Sequence, residues 1–139
     1  MDIKPEYLAE IRHDFHRFPE LGFQEKRTKD KIAGYLKELG LDVHYGAGIV
    51  GVLRAGEGNK VIGLRADMDA LPMPEANQFD YRSTKENVMH ACGHDGHTTM
   101  LLGAVKYLSE NNNFDGRVYF IFQPGEEGFA GGKKMIEDG

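Results

Sequence analysis

The chain has 139 residues, of which 40% are hydrophobic and 28% charged, the composition of one globular domain rather than of a disordered chain. Its net charge of −5 and its lack of a basic patch exclude a nucleic-acid-binding surface, and no apolar run is long enough to cross a bilayer. A single cysteine cannot form an internal disulfide, so we expect a protein of the reducing cytoplasm with neither nucleic-acid nor membrane partners.

The hydrophobic spacing predicts two helices at the start of the chain. Apolar residues three and four positions apart predict the first helix over 4–18, with Pro5 in its first turn and Pro19 after its end. The same period predicts a second helix over 25–39, which ends at Gly40.

From residue 41 onwards, the spacing of the apolar residues changes from the helical period to the two-residue period of strands. Alternating apolar residues over 41–45 predict one strand, and apolar runs at 49–53 and 61–64 predict two more. A glycine-rich turn joins the last two, so we expect them to pair as a hairpin. Residues 66–89 have no clear period, and we expect them to form a long loop over a functional site.

Helical spacing returns over 94–109, and an almost wholly apolar run over 118–122 predicts a strand buried on both faces. Residues 132–138 predict a further helix. This order of elements predicts an α/β fold in which a sheet is sandwiched between helices (α/β/α). The G-x-G-x-x-G pattern at 46–51 leads into a strand rather than a helix, and therefore does not predict a dinucleotide site.

The run from 90 to 97, HACGHDGH, holds three histidines, an aspartate and the only cysteine. Thiolate and imidazole are the ligands that zinc and related metals prefer. Cys92 and His94 are two positions apart, so an extended backbone projects both side chains to the same side, and Gly93 allows close approach to an ion. The same spacing admits His90 as a ligand. His97 is a ligand, a group that orients one, or a polar residue at the helix start.

Acidic residues follow two of the predicted strands. Glu126 and Glu127 come after the apolar strand, where adjacent carboxylates need nearby positive charge, which a divalent metal supplies. The simplest assignment is that one of these glutamates binds metal and the other is a general base that activates water. The alternative is that both are solvated loop residues without a role in a site. Asp67 and Asp69 follow the third strand, where Asp69 orients a ligand histidine, bridges metals or holds its own turn. Asp95 caps the next helix or takes part in the site.

Several segments, in the same order, resemble the hippurate hydrolase and indole-acetyl-amino-acid hydrolase family of metal-dependent amidohydrolases. That family is part of the aminoacylase and carboxypeptidase G group of metallopeptidases. The resemblance runs almost from end to end, on the segments 11–17, 19–25, 63–72, 90–97 and 120–128. It implies a zinc-peptidase-like α/β fold with a mixed sheet.

The resemblance also implies roles for the candidate residues. It implies that Cys92, His94 and Glu127 bind metal, with Cys92 a candidate bridge between two ions. Glu126 would be the general base and acid, and Asp69 would orient a ligand histidine. The implied cofactors are two divalent ions, zinc or manganese, and the implied reaction is hydrolysis of the amide bond of an N-acyl amino acid.

The family has two further histidine ligands and a lid domain that mediates dimerisation, and the chain stops before them. We therefore expect residues 1–139 to be the N-terminal part of the catalytic domain of a homodimeric enzyme. Three ligands are fewer than two ions require, which predicts weak metal binding and little turnover by these residues alone. The alternative is a stand-alone metal-binding or interaction module derived from such an enzyme.

Overall fold

A computed structural model describes residues 3–139. All the helices and strands predicted from the sequence are present, and one short helix, α4, was not predicted. Four residues that include Gly128, at φ +81°, are too few to show a helical period. The elements in chain order are α1 (Pro5–Arg17), α2 (Lys26–Glu38), β1 (Asp42–Tyr45), β2 (Ile49–Ala55), β3 (Val61–Asp67), α3 (His94–Glu110), β4 (Gly116–Gln123), α4 (Glu126–Phe129) and α5 (Gly131–Glu137).

The four strands form one mixed sheet in the order β1–β2–β4–β3. Only β3 and β4 are parallel, and the other two pairs are antiparallel. The expected hairpin of β2 with β3 is wrong, because β4 lies between these strands and pairs with both. The central position gives the most apolar strand two hydrogen-bonded neighbours, whereas a β2–β3 hairpin would leave it at an edge.

Alternate residues of β4 face two different environments. Phe120 and Phe122 are fully buried in the main core, where Leu36 of α2 and Val105 of α3 also lie. Residues on the opposite face of β4, such as Ile121, are only partly buried. The expectation that β4 is buried on both faces is therefore wrong for the second face, where α5 packs over the sheet and leaves a groove.

Helices thus lie on both faces of the sheet, and the predicted α/β/α class is confirmed. Residue 49 begins β2, so the G-x-G-x-x-G pattern opens a strand, as the sequence indicated. Within residues 3–139, every helix is too short or too polar to span a lipid bilayer.

Residues 68–93 connect β3 to α3 without a helix or strand, which confirms the predicted long loop. Two backbone hydrogen bonds close its base: the N–H of Leu71 donates to Met89 at 2.9 Å, and the N–H of Met89 donates to Leu71 at 3.0 Å. Asp69 lies just before this closure and Cys92 just after it. The base of the loop therefore brings two candidate site residues to the same edge of the sheet.

Candidate metal centre

The centre forms where the carboxyl ends of the parallel strands meet. Asp67, the last residue of β3, pairs with Gln123, the last residue of β4. Working residues of α/β proteins collect at such strand ends because the following loops converge there. The loop after β3 supplies Asp69, and the short helix α4 that follows β4 supplies Glu126 and Glu127.

The three predicted ligands converge in space. Cys92, His94 and Glu127 each offer a ligand atom, and these atoms all lie within 4.8 Å of one another. An ion with thiolate, imidazole and carboxylate ligands about 2.0–2.3 Å away holds its donors at comparable separations. Oε1 of Glu127 lies 3.8 Å from Nε2 of His94. The arrangement therefore fits a single divalent cation among the three side chains.

His94 is held by its other ring nitrogen. Nδ1 lies 2.8 Å from the backbone oxygen of Asp69 and 3.2 Å from its Oδ1, so Nδ1 carries the proton and donates it. Nε2 then presents its lone pair towards Glu126 and Glu127, at 3.9 and 3.8 Å. Burial acts to lower the pKa of His94, but the hydrogen bonds with Asp69 and the negative charges of Asp67 and Asp69 together raise the pKa above its ordinary value. The surroundings therefore favour positive charge at this point, as a metal site requires.

Asp69 links two of the candidate ligands. It is 1% exposed, and its Oδ2 accepts a 2.9 Å hydrogen bond from the backbone N–H of Glu127. Burial acts to raise the pKa of Asp69, but the hydrogen bonds from His94 and from this N–H lower it below its ordinary value. A buried carboxylate that remains ionised can orient a ligand imidazole and hold the Glu127 backbone at once.

The thiol of Cys92 is exposed at the rim of the cluster. The interaction with the adjacent Glu127 carboxylate, with the nearby negative charges of Glu126 and Asp67, raises the pKa of the Cys92 thiol. A bound divalent cation reverses that tendency, because a coordinating thiol is deprotonated. Thiolate, imidazole nitrogen and carboxylate oxygen together form a donor set suited to zinc and to other borderline metals.

Glu126 and Glu127 have different surroundings although they are adjacent. The side chain of Glu126 is 43% exposed and that of Glu127 is 28% exposed. The turn that carries both glutamates begins at Gly125, whose φ of +51° favours glycine. Oε1 of Glu25, a residue that is 1% exposed, accepts the Gly125 N–H at 2.9 Å, and burial raises the pKa of Glu25. Glu25 therefore anchors the loop on which both glutamates stand.

A second group of possible ligands shares His94 with the first. Ligand atoms of Asp67, His94 and His97 also lie within 4.8 Å of one another. However, Asp67 already accepts hydrogen bonds from His97 Nδ1 at 2.7 Å and from Arg65 at 3.0 Å. The guanidinium neutralises this carboxylate, so the group is less suited to a cation than the first one. Of the roles left open for His97, this geometry favours a polar residue paired with Asp67.

His90 and Asp95 lie behind the centre. His90 is 5% exposed, belongs to neither group, and has no hydrogen-bond partner for either ring nitrogen within residues 3–139. Burial lowers the pKa of His90 to about 4. The N-cap of α3 is Gly93, without a side-chain cap, so the capping role considered for Asp95 is wrong. Its carboxylate instead accepts hydrogen bonds from His16 at 2.8 Å and Arg12 at 3.3 Å.

Sequence reasoning missed Glu25, His16 and Glu75, all of which carry buried polar contacts. Each lies far along the chain from its partner, and no local spacing signals such a pair. The only hint was their position inside segments that resemble the amidohydrolase family or adjoin them.

The chain is similar along its length to known hydrolases. The hippurate hydrolase of Campylobacter jejuni is 54% identical over 142 residues, covering 100% of this chain and 37% of that protein. IAA-amino acid hydrolase ILR1-like 2 of Arabidopsis thaliana is 45% identical over 138 residues, covering 96% of this chain and 31% of that protein. The chain thus spans about a third of the length of these curated relatives.

The fold also matches solved structures. The YXEP protein of Bacillus subtilis, a dinuclear metal-binding peptidase of the M20 family, gives a TM-score of 0.91 at 38% identity, covering 96% of this chain and 39% of that one. The aminobenzoyl-glutamate utilization protein of Klebsiella pneumoniae gives 0.76 at 26% identity, covering 96% of this chain and 40% of that one. Residues 63–139 match the family model of peptidase family M20/M25/M40. The resemblance drawn from the sequence motifs is confirmed, and the chain belongs to peptidase family M20/M25/M40.

Proposed function

We propose that the whole protein is a metal-dependent amidohydrolase that cleaves the amide bond of N-acyl amino acids, such as hippurate-like or N-acetyl conjugates. The convergence of Cys92, His94 and Glu127 beside a second, more exposed glutamate is the observation that carries this proposal. The similarity to hippurate hydrolase and to IAA-amino acid hydrolases supports the substrate class.

The proposed cofactors are two divalent ions, zinc or manganese. Cys92, His94 and Glu127 would hold metal, and the remaining ligands would come from elsewhere in the whole protein. Four carboxylates and one thiol surround the centre, while Arg65 is the cation paired with Asp67. Such an excess of negative charge is what two divalent cations balance. The bound ions would polarise the amide carbonyl and make a water molecule more acidic.

In this proposal Glu126 moves the proton. Its carboxylate lies 3.9 Å from His94 Nε2, at the rim of the ligand cluster, and is the more exposed of the two glutamates. Glu126 would take a proton from the attacking water and deliver it to the departing amine nitrogen. Asp69 would keep the proton of His94 on Nδ1, so that Nε2 stays free to act as a ligand. Glu25 would hold the Glu126 loop in place through Gly125.

A second candidate is a metal-binding or interaction module that lacks turnover. The number of ligands favours it for these residues alone, because three side chains do not complete a dinuclear site. We further propose that the whole protein forms a homodimer and acts in the cytoplasm on small molecules.

Metal analysis of the purified whole protein, combined with a panel of N-acyl amino acids, tests the proposal. We expect two bound divalent ions and hydrolysis of at least one N-benzoyl or N-acetyl amino acid, abolished by Glu126→Gln. Reconstitution of metal-free protein with zinc or manganese alone then identifies the ion that supports activity. Bound metal without hydrolysis of any member would favour the binding module, and no bound metal would refute both candidates.

A further inference from the structure

Helix α1 contacts the long loop between Asp69 and Cys92 at several points. Thr84 donates two hydrogen bonds, from its backbone N–H at 2.9 Å and from its hydroxyl at 2.8 Å, to the backbone oxygen of Arg17. The ring of Tyr81 stacks on His13 of α1, with ring centroids 3.7 Å apart. These contacts fix the outer part of the loop, which we define as residues 72–89, but none of them reaches α3.

One side chain of α1 contacts both the loop and α3. Nε2 of His16 lies 2.8 Å from Oε1 of Glu75, and Nδ1 lies 2.8 Å from Oδ2 of Asp95. All three side chains are at least nine-tenths buried, with 5%, 3% and 0% of their surface exposed. An imidazole has polar atoms on two opposite edges, so it can bridge two carboxyl groups that lie on opposite sides of it, which an apolar side chain cannot do.

Glu75 is the centre of the loop's own hydrogen bonding. Besides His16, its carboxylate accepts hydrogen bonds from the backbone N–H of Ser83 and from the side chain of Asn77 at 3.0 Å. Burial acts to raise the pKa of Glu75, but the hydrogen bonds from His16 and Ser83 lower it below its ordinary value. An ionised buried carboxylate with several donors is costly to leave unpartnered, so removal of His16 affects the whole loop.

The other end of the bridge lies beside the metal centre. Asp95 is in the first turn of α3 and directly follows His94, one of the proposed ligands. The loop itself ends just before Cys92, a second proposed ligand. The bridge therefore connects the loop to the first turn of α3, which begins at His94 and follows Cys92 after one residue, Gly93.

We propose that His16 is a positioning residue that couples the 72–89 loop to the first turn of α3 and thereby sets the geometry of Cys92 and His94. The link between the loop and α3 follows from the contacts of the folded chain. Its expected effect on metal affinity rests on the proposed function. His16 makes no contact with the ligand atoms; it acts through Asp95 and through the loop.

Hydrogen exchange and zinc titration of the whole protein test this coupling. In His16→Phe we expect faster exchange both in 72–89 and in 92–95, and a zinc dissociation constant raised about tenfold, the lower end of the range for groups that orient metal ligands. Glu75→Gln keeps an acceptor for His16 and is expected to change both quantities in the same direction but less. This milder variant decides the question if His16→Phe does not fold.

Thr84→Val is the matched control. It removes a hydrogen bond between the loop and α1 but leaves the link to α3 intact. We expect faster exchange near residue 84, with exchange in 92–95 and zinc affinity unchanged. An equal loss of zinc affinity in Thr84→Val and His16→Phe would overturn the proposal, because any loosening of the loop would then suffice.

A double variant separates positioning from simple stability. Replacement of His16 and Glu75 by apolar groups in His16→Phe/Glu75→Leu should recover part of the thermal stability lost in His16→Phe, since the buried Glu75 carboxylate no longer lacks its partner, whereas Asp95 still has only Arg12. Zinc affinity should stay low because the link from the loop to Asp95 is still missing, and Arg12, which remains bonded to Asp95, lies on α1. Recovery of affinity together with stability would overturn the proposal. Failure of the unaltered protein to bind zinc would refute the proposed function instead, and exchange in 92–95 would still decide the coupling.

Discussion

The backbone N–H of Glu127 donates a 2.9 Å hydrogen bond to Oδ2 of Asp69. The other oxygen of the same carboxylate lies 3.2 Å from Nδ1 of His94, so one buried side chain holds two proposed ligands that are 33 positions apart in the numbering. A carboxylate can serve both donors because both of its oxygens accept, whereas an amide offers one acceptor and one donor. Asp69 is therefore the residue whose replacement best tests the orientation of the ligands.

We expect Asp69→Asn to weaken zinc binding about 10–100-fold, because the amide NH₂ must face either the His94 N–H or the Glu127 N–H. Competition with a chromophoric chelator measures the change. Asp80→Asn, in the exposed part of the long loop, is the control and should leave affinity unaltered. Equal affinities of Asp69→Asn and the control would show that Asp69 only holds its own turn.

The two adjacent glutamates should respond differently to the same isosteric change. Glu126→Gln is expected to retain metal and to lower kcat by about 10²–10⁴-fold, the usual contribution of a general base. Glu127→Gln is expected to lose metal affinity, because Glu127 is the member of the pair within the ligand cluster. Metal content and turnover of the two variants, measured side by side, check this division. The opposite pattern would exchange their roles.

The lone cysteine provides a direct probe of the centre. Cys92 is exposed, so iodoacetamide should alkylate it in chelator-treated protein, and added zinc should protect it because the metal-bound sulfur is no longer a free nucleophile. Mass spectrometry of the modified fraction against time measures the protection. His94→Ala is the matched variant in which zinc should no longer protect. Alkylation at the same rate with and without zinc would remove Cys92 from the ligand set.

Glu25 predicts a specific dependence of stability on pH. Burial raises the pKa of Glu25 in the folded protein above its ordinary value of 4.5, so the folded state favours the protonated form. The contribution of protonated Glu25 to the free energy of unfolding is fully present below the pKa that Glu25 has in the unfolded state. It is lost as the pH rises through the pKa that Glu25 has in the folded state. Glu25→Gln keeps an oxygen for the Gly125 N–H without the buried charge. We therefore expect the stability of the variant relative to wild type to rise with pH.

Thermal or urea unfolding between pH 4 and pH 8 measures that difference for Glu25→Gln. Glu57→Gln, whose side chain is fully exposed, is the control and should show no such trend. A constant difference between Glu25→Gln and wild type across the range would mean that the buried carboxyl does not change its protonation there.

The spacing of apolar residues in the sequence predicted the positions of individual helices and strands. The spacing of Ile11 and Phe15 predicted α1, and the apolar residues around Phe120 predicted β4, because both elements are set by which residues face the core. The strand order was not predictable in this way. Residues 56–60 form a turn short enough for a hairpin, but the burial of β4 between its neighbours outweighs that local preference.

The same distinction holds for the candidate centre. The dense run around Cys92 and His94 signalled a metal site, since ligands close in sequence leave a visible motif. The supports of the site are distant pairs, such as Glu25 with Gly125, 100 positions apart. Such pairs depend on how loops fold back on each other, and a single sequence contains no period or spacing that records them.

The insertion of β4 between β2 and β3 has a consequence for the order in which the protein matures. In chain order α1, α2, β1 and β2 precede β3, and among the four strands β3 has no hydrogen-bonded neighbour until residues 116–123 have been synthesised. The strand that joins β2 to β3 is followed, after two residues, by Glu126 and Glu127. Cys92 and His94 can therefore meet Glu127 only after the strand that joins β2 to β3 has been synthesised.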